Sequence, residues 1–226
     1  MDHLDRPRRL LAVHLSMLAG LVDAAGFLSA HGYFVSFMSG NTTRLAVNLV
    51  TDPQKAQIPA LLIAGFVAGV TGGGLLARRG EKWRKPRALA AVTALLALAA
   101  LLQGPLSAHV NAIAAPVVLA ITMGALNTTF QRDGGPAVGL TYMTGALVRL
   151  GNALSAWASG ERATGWLSAF GLWFGLLFGA IVGAMAWTKV GGVTDWLACG
   201  AAAILTLAAW LIRRGEIADE APPDMI

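Results

Sequence analysis

The chain alternates long apolar runs with short polar, basic or glycine-containing breaks, and the runs are continuous rather than amphipathic. A helix needs about 20 mostly apolar residues to cross the hydrocarbon core of a bilayer. Six stretches meet that requirement: Leu10 to Leu28, Ile58 to Ala77, Ala88 to Leu106, Val110 to Gln131, Gly165 to Thr188 and Thr194 to Ile212. Two more, Phe34 to Val50 and Val138 to Trp157, are apolar enough to enter a membrane. Each of these carries an arginine (Arg44, Arg149) and a glycine-containing break near its start. Tyr33 to Met38 is aromatic and β-branched, which suits an extended approach. Ser39 to Thr43 then holds the residue types that start helices. Leu140 to Met143, followed by Thr144, Gly145 and Ala146 to Trp157, repeats that order. The pattern predicts two re-entrant segments, each an extended stretch followed by a half-helix.

Several features recur at a nearly constant separation of 104 to 106 residues. Gly20-x-x-Asp23 is answered by Gly124-x-x-Asn127, Met38-Ser39-Gly40 by Met143-Thr144-Gly145, and Arg44-Leu45 by Arg149-Leu150. Gly65, Gly69 and Gly73 are answered by Gly171, Gly175 and Gly179, with Gly183 extending the series. Each half reads as span, re-entrant segment, span, span. Three spans is an odd number, so the second copy must be inverted relative to the first. The expected fold is all-α and polytopic, with six transmembrane helices, two re-entrant segments and two inverted three-span repeats. Residues 1–106 form the first repeat, 107–214 the second, and 215–226 an acidic, proline-containing mobile tail.

Composition strengthens the membrane reading. Of 226 residues 56% are hydrophobic and only 13% charged, against about 25% charged in soluble domains. The net charge of +5 sits in three clusters, at Arg6/Arg8/Arg9, Arg78 to Arg87 and Arg213/Arg214, each abutting an apolar run. Six spans place all three clusters on one side, as cytoplasmic loops rich in Lys and Arg require, whereas eight spans split them. Both termini are then expected in the cytoplasm. Charge placed this way, with no fold motif or interleaved aromatics, argues against nucleic-acid binding. The single cysteine, Cys199, lies in an apolar run and excludes a disulfide framework. Leu10 to Leu28 is too long for a signal-peptide core and contains Asp23, so it reads as a retained first helix.

The candidate chemistry lies inside the membrane. Glycines four apart let helices approach closely, and packing is the first explanation for both ladders. Two half-helices entering from opposite sides would bring their N-termini together, where free N–H groups and the helix dipole attract anions and polar acceptors. Ser39, Gly40, Asn41, Thr144 and Gly145 would line that point. Asn41 is matched by Ala146, so the site should be asymmetric. Asp23 lies well inside the first span, where a carboxylate costs roughly 2.5–3.5 kcal/mol and usually faces the bundle interior. It reads as a solute contact, a coupling group or half of an ion pair with Arg44 or Arg149. Asn127 is its neutral counterpart. No catalytic set, metal-spaced cluster or P-loop is present, so neither an enzyme nor a cofactor is expected.

The runs Gly20 to Ala25, Phe37 to Thr42, Gly124 to Asn127 and Thr141 to Gly145 resemble the YoaK family, bacterial membrane proteins grouped under a domain of unknown function. The resemblance covers nearly the whole chain. It departs at Ser39, where the family usually has Thr, and at Leu126, where Gln is expected. It implies the bacterial inner membrane and supplies no substrate. The expected function is a permease or channel-like carrier for a small polar solute, an anion among the options, bound at the midplane. The competing reading is a non-transporting scaffold or sensor with a structural polar core. The expected partners are the lipid bilayer and the solute, and a homo-oligomer through an exposed glycine ladder is compatible with the sequence.

Overall fold

The computed structural model of the protein describes residues 5–78, 83–103, 111–132, 135–136 and 139–220. Among them the chain forms eight helices: α1 (Arg6–Ser29), α2 (Met38–Thr51), α3 (Gln57–Arg78), α4 (Arg84–Leu102), α5 (Asn111–Leu126), α6 (Met143–Ala158), α7 (Trp166–Val190) and α8 (Val193–Glu220). Between α5 and α6 a two-residue antiparallel ladder pairs β1 (Gln131–Arg132) with β2 (Gly135–Pro136). Helices α1, α3, α4, α7 and α8 are long and apolar enough to cross a bilayer, and α5 is a shorter apolar helix with Pro116 inside it. Their outer faces carry large apolar side chains such as Val67, Phe174, Ile181 and Ile204. This is the surface of a polytopic membrane protein.

Helix α1 is the centre of the bundle. Leu11, Leu15, Leu18 and Val22 recur every three or four residues on one buried face. They pack in one cluster with Leu89, Val92 and Leu96 of α4 and Leu119 and Met123 of α5. Lipid is as apolar as leucine, so burial alone does not drive helices together; close van der Waals packing and interhelical hydrogen bonds do. The hydroxyl of Ser16 donates to the Leu172 carbonyl at 2.7 Å, and Thr93 meets Thr206 at 3.1 Å.

The glycines supply the close packing. A Cβ at Gly175 would lie 3.1 Å from the Val13 carbonyl oxygen; at Gly179 and Gly183 it would overlap the carbonyls of Met17 and Leu21. On the other pair, a Cβ at Gly65 would lie 3.2 Å from the Val117 carbonyl, and at Gly69 it would overlap that of Ile121. Gly20 and Gly124 return the contact, against the carbonyls of Leu176 and Phe66. Thus α1 runs beside α7 and α5 beside α3, each pair parallel. Both glycine ladders are used inside the molecule. The match between them differs from the expected one: Gly65, Gly69 and Gly73 correspond to Gly175, Gly179 and Gly183, while a Cβ at Gly171 would meet only the Val13 side chain at 3.7 Å. The shift arises because α6 has 16 residues against 14 in α2, and its connection to α7 is also longer.

The other contacts run α4 to α8, α4 to α5, α1 to α8, α2 to α3 and α6 to α7. Exchanging α1 with α5, α2 with α6, α3 with α7 and α4 with α8 maps these pairings onto one another. The basic clusters gather at one end of the bundle. Arg8 and Arg213 both bond Glu216, and the Lys85 ammonium lies 5.1 Å from the ring of Phe130, just beyond α5.

Three boundaries depart from the sequence reading. The span expected to reach Gln131 stops as a helix at Leu126, then turns through residues 127–130. Residues 33–37 form no strand, and α2 begins at Met38, one residue ahead of the expected cap. Helix α8 continues past Gly215, where the tail was expected, to Glu220, and 221–226 lie outside the described residues. The expected repeat boundary at 106/107 and the start of the second re-entrant segment at Val138 also lie outside them.

Candidate functional site

The chain leaves α1 through a turn at His31 and Gly32, with φ of 52° and 91°, and folds back along the end of α1. Tyr33 and Val35 point into the protein and are buried. Phe37 then makes a tight turn (φ −87°, ψ 79°) in which the Met38 N–H donates to the Ser36 carbonyl at 3.1 Å. Tyr142 has the same geometry (φ −89°, ψ 73°), and the Met143 N–H donates to the Thr141 carbonyl at 3.1 Å. These are inverse γ-turns. Each throws an aromatic ring over the glycine of the helix's first turn. A Cβ at Gly40 would lie 2.7 Å from Cε1 of Phe37, and one at Gly145 would lie 2.7 Å from Cε1 of Tyr142. A side chain at either glycine would have to displace that ring.

A cavity of about 630 Å³ lies where the two turns approach each other. Asp23 from α1 and Asn127 from the end of α5 line it, with Ser39 and Thr144 from the first turns of α2 and α6. Four of the residues proposed from sequence therefore meet in one cavity. Asp23 Oδ1 accepts from the N–H groups of Val35 (3.1 Å) and Ser36 (2.8 Å). In the other half, Asn127 Nδ2 donates to the Met123 carbonyl at 2.8 Å and lies 3.0 Å from the Thr141 hydroxyl. An acid holds the first turn; an amide holds the second.

The remaining proposed residues do other work. Asn41 is fully buried and bonds Phe34 twice: its Oδ1 accepts from the Phe34 N–H (3.0 Å) and its Nδ2 donates to the Phe34 carbonyl (2.6 Å). It braces the entry turn and does not line the cavity. Thr42 and Thr43, expected as caps, lie inside α2 and bond carbonyls four residues back. The Arg44 guanidinium stands over the rings of Tyr33 (5.3 Å) and Phe34 (5.9 Å), and Arg149 is exposed on α6. Neither arginine pairs with Asp23. Both were candidate partners as the basic residues inside the membrane-embedded segments; the aromatic entry turn captures Arg44 instead.

Sequence reasoning passed over Ser36 and Thr141, which line the cavity, and the rings of Phe34, Phe37, Phe66 and Tyr142 around it. The signal was present as Ser36-Phe37-Met38-Ser39-Gly40 against Thr141-Tyr142-Met143-Thr144-Gly145, a hydroxyl residue and an aromatic ahead of the matched triplet. A second acid, Asp195 in the first turn of α8, is buried away from this cavity. Among the described residues no three His, Cys, Asp or Glu side chains come together as metal ligands.

Long apolar helices with lipid-compatible outer faces, packed beside a largely apolar cavity that holds a few polar side chains, define an integral, polytopic membrane protein. The chain belongs to the family described as "Protein of unknown function (DUF1275)", whose model matches residues 11–208. It is similar to the UPF0700 transmembrane protein RA0705 of Rhizobium meliloti (strain 1021), with 42% identity over 205 residues, 90% of this chain and 87% of that one. It is also similar to the UPF0700 transmembrane protein YoaK of Bacillus subtilis (strain 168), at 29% over 147 residues, 63% of this chain and 65% of that one. The resemblance read from the Asp23, Ser39 and Asn127 segments is thereby established. No solved structure matches the chain.

Proposed function

We propose that the protein is a permease or channel-like carrier for a small polar solute, bound in the cavity between the first turns of α2 and α6. The observation that carries this reading is the convergence of two helix starts, Asp23 and Asn127 on one cavity. Intramembrane acids that face a cavity mark solute or ion paths, and 630 Å³ lies within the range of small-molecule sites. The cavity performs no covalent chemistry in this reading, and the protein is not an enzyme.

The two halves form an inverted repeat in this proposal. Phe130, just beyond α5, lies beside Lys85 at the start of α4, within electrostatic reach of Arg8 at the start of α1. Helices α1 and α5 therefore run in opposite directions, as inversion requires. Helices α2 and α6 begin at the turns beside the cavity, with Ser39 and Thr144 in its lining, and in this proposal each runs only from there to one end of the bundle. Six crossings then put the clustered basic end in the cytoplasm of a bacterial inner membrane, with both termini there.

Cysteine labelling tests the reading. Ser39→Cys and Thr144→Cys, each in a Cys199→Ala background, are expected to react with a membrane-impermeant thiol reagent, while Val67→Cys on the lipid face does not. The thiolate is the reactive form, and it needs a watered path. Silence at both positions from both sides of the membrane would move the protein to the scaffold reading. The hydrogen bonds inside the halves favour that alternative, because Asn41 and Asn127 are already partnered by their own segments.

A further inference from the structure

Building on the permease reading, we infer that the cavity takes an organic ammonium cation, with Asp23 as its counter-charge and the aromatic rings of the two entry turns as its walls. Asp23 is the one charged side chain among the described residues that line the cavity. The arginines that would have welcomed an anion are elsewhere: Arg44 is held over Tyr33 and Phe34, and Arg149 is exposed. Asp23 Oδ1 accepts from the N–H groups of Val35 and Ser36 just ahead of α2, so its negative charge stands near the positive end of that helix. An anion entering here would face a carboxylate at close range in a medium of low dielectric, where like charges repel far more than in water.

The walls decide what kind of cation fits. Phe34, Phe37, Phe66 and Tyr142 bring four rings to the lining, and Met38 and Met143 add thioethers. A hard inorganic ion such as magnesium takes oxygen ligands and would use only the hydroxyl, amide and carboxylate part of the lining, leaving the rings and thioethers uncontacted. Alkylammonium and quaternary ammonium groups are weakly hydrated and bind the faces of aromatic rings. Phe34 and Phe37 stand edge to face with ring centroids 5.2 Å apart. The chain itself uses the same chemistry one layer out, where the guanidinium of Arg44 rests on Tyr33 and Phe34.

The test is calorimetric titration of the purified full chain with four probes: tetramethylammonium, choline, the uncharged choline isostere 3,3-dimethylbutan-1-ol, and acetate. Both ammonium probes are expected to bind, with the isostere and acetate at least tenfold weaker. Asp23→Asn should weaken choline at least tenfold, and its Oδ1 can still accept from Val35 and Ser36, so the fold is kept. Phe66→Leu keeps an apolar side chain and removes the ring; a loss of roughly threefold is expected from the cation–π contact. Equal binding of choline and its isostere, stronger binding of acetate, or silence of both ammonium probes would overturn the inference. Ser39→Cys and Thr144→Cys labelling then separates the two levels: reactive thiols leave the permease reading standing with another solute, and unreactive thiols remove both.

Discussion

Leucine at Gly179 is expected to abolish recovery of folded protein from membranes, while leucine at Gly72 leaves it unchanged. A Cβ at Gly179 would overlap the Met17 carbonyl, and backbone carbonyls cannot swing aside as a side chain does. Helices α1 and α7 would have to separate along the whole crossing, since Gly175, Gly183 and Gly20 hold the same interface. The cost is placed at about 3 kcal/mol or more, the upper end of overpacking penalties. At Gly72 nothing lies within 4 Å of the added carbon, and leucine improves helix propensity there. The measurement is the monodisperse yield in detergent and the apparent Tm of each variant. Gly171→Ala supplies the register control: its nearest neighbour would be a side-chain carbon at 3.7 Å, so a change within about 0.5 kcal/mol is expected, as for an ordinary surface site. A Gly179→Leu protein as stable as the Gly72→Leu one would disprove the close crossing.

The glycine result also shows what could be read ahead of the structure. Spacing by four announced two packing ladders, because a helix returns to the same face at that interval. It did not announce which rungs match, since Gly171 and Gly175 are equally spaced from their neighbours in sequence. Only the length of α6 and its loop sets the rung, and helix ends are weakly encoded where every residue is apolar. The same limitation explains α5. The expected span ran on to Gln131, but the helix ends at Leu126, where the Asn127 amide and the Thr128 hydroxyl turn back onto the carbonyls of Met123 and Ala125. Hydroxyl and amide side chains compete with backbone partners in this way, and their choice depends on the Thr141 segment far along the chain.

The candidate site was legible in four of its polar members, not in Ser36 or Thr141, and illegible in its walls. Asp23, Asn127, Ser39 and Thr144 stood out because polar groups are costly in lipid and because each had a partner one repeat away. Gly40 and Gly145 stood out for the same reason but serve the rings of Phe37 and Tyr142, a contact between residues three apart that a repeat comparison does not rank. Asn41 looked like a cavity residue because it begins a helix. The inverse γ-turn at Phe37 places the helix start earlier and turns Asn41 toward Phe34. The ion-pair alternative for Asp23 was decided by geometry: Arg44 sits one and a half turns into α2 and reaches the rings behind the turn, not the acid in front of it.

The second large effect separates what Asp23 holds from what it binds. Asp23→Ala is expected to lower stability by about 2–5 kcal/mol, because two buried N–H groups, of Val35 and Ser36, lose their acceptor and each orphaned donor costs roughly 1–3 kcal/mol. Val35 is fully buried and is not part of the cavity lining, so water in the cavity does not replace the acceptor of its N–H. Asp23→Asn keeps an acceptor at Oδ1 and should cost less than about 1.5 kcal/mol, the worth of weakening charged bonds to neutral ones. The second half already runs on that chemistry, with Asn127 beside the Thr141 turn. Apparent Tm values of the two variants therefore diverge, and ligand binding does not follow them: the Asn protein folds and loses the cation, as argued above. Equal Tm values for the Ala and Asn proteins would mean that the entry turn is held by the bonds of Asn41 to Phe34 alone. Asp23 would then be free of any structural duty, and its presence in the membrane would rest wholly on the solute it meets.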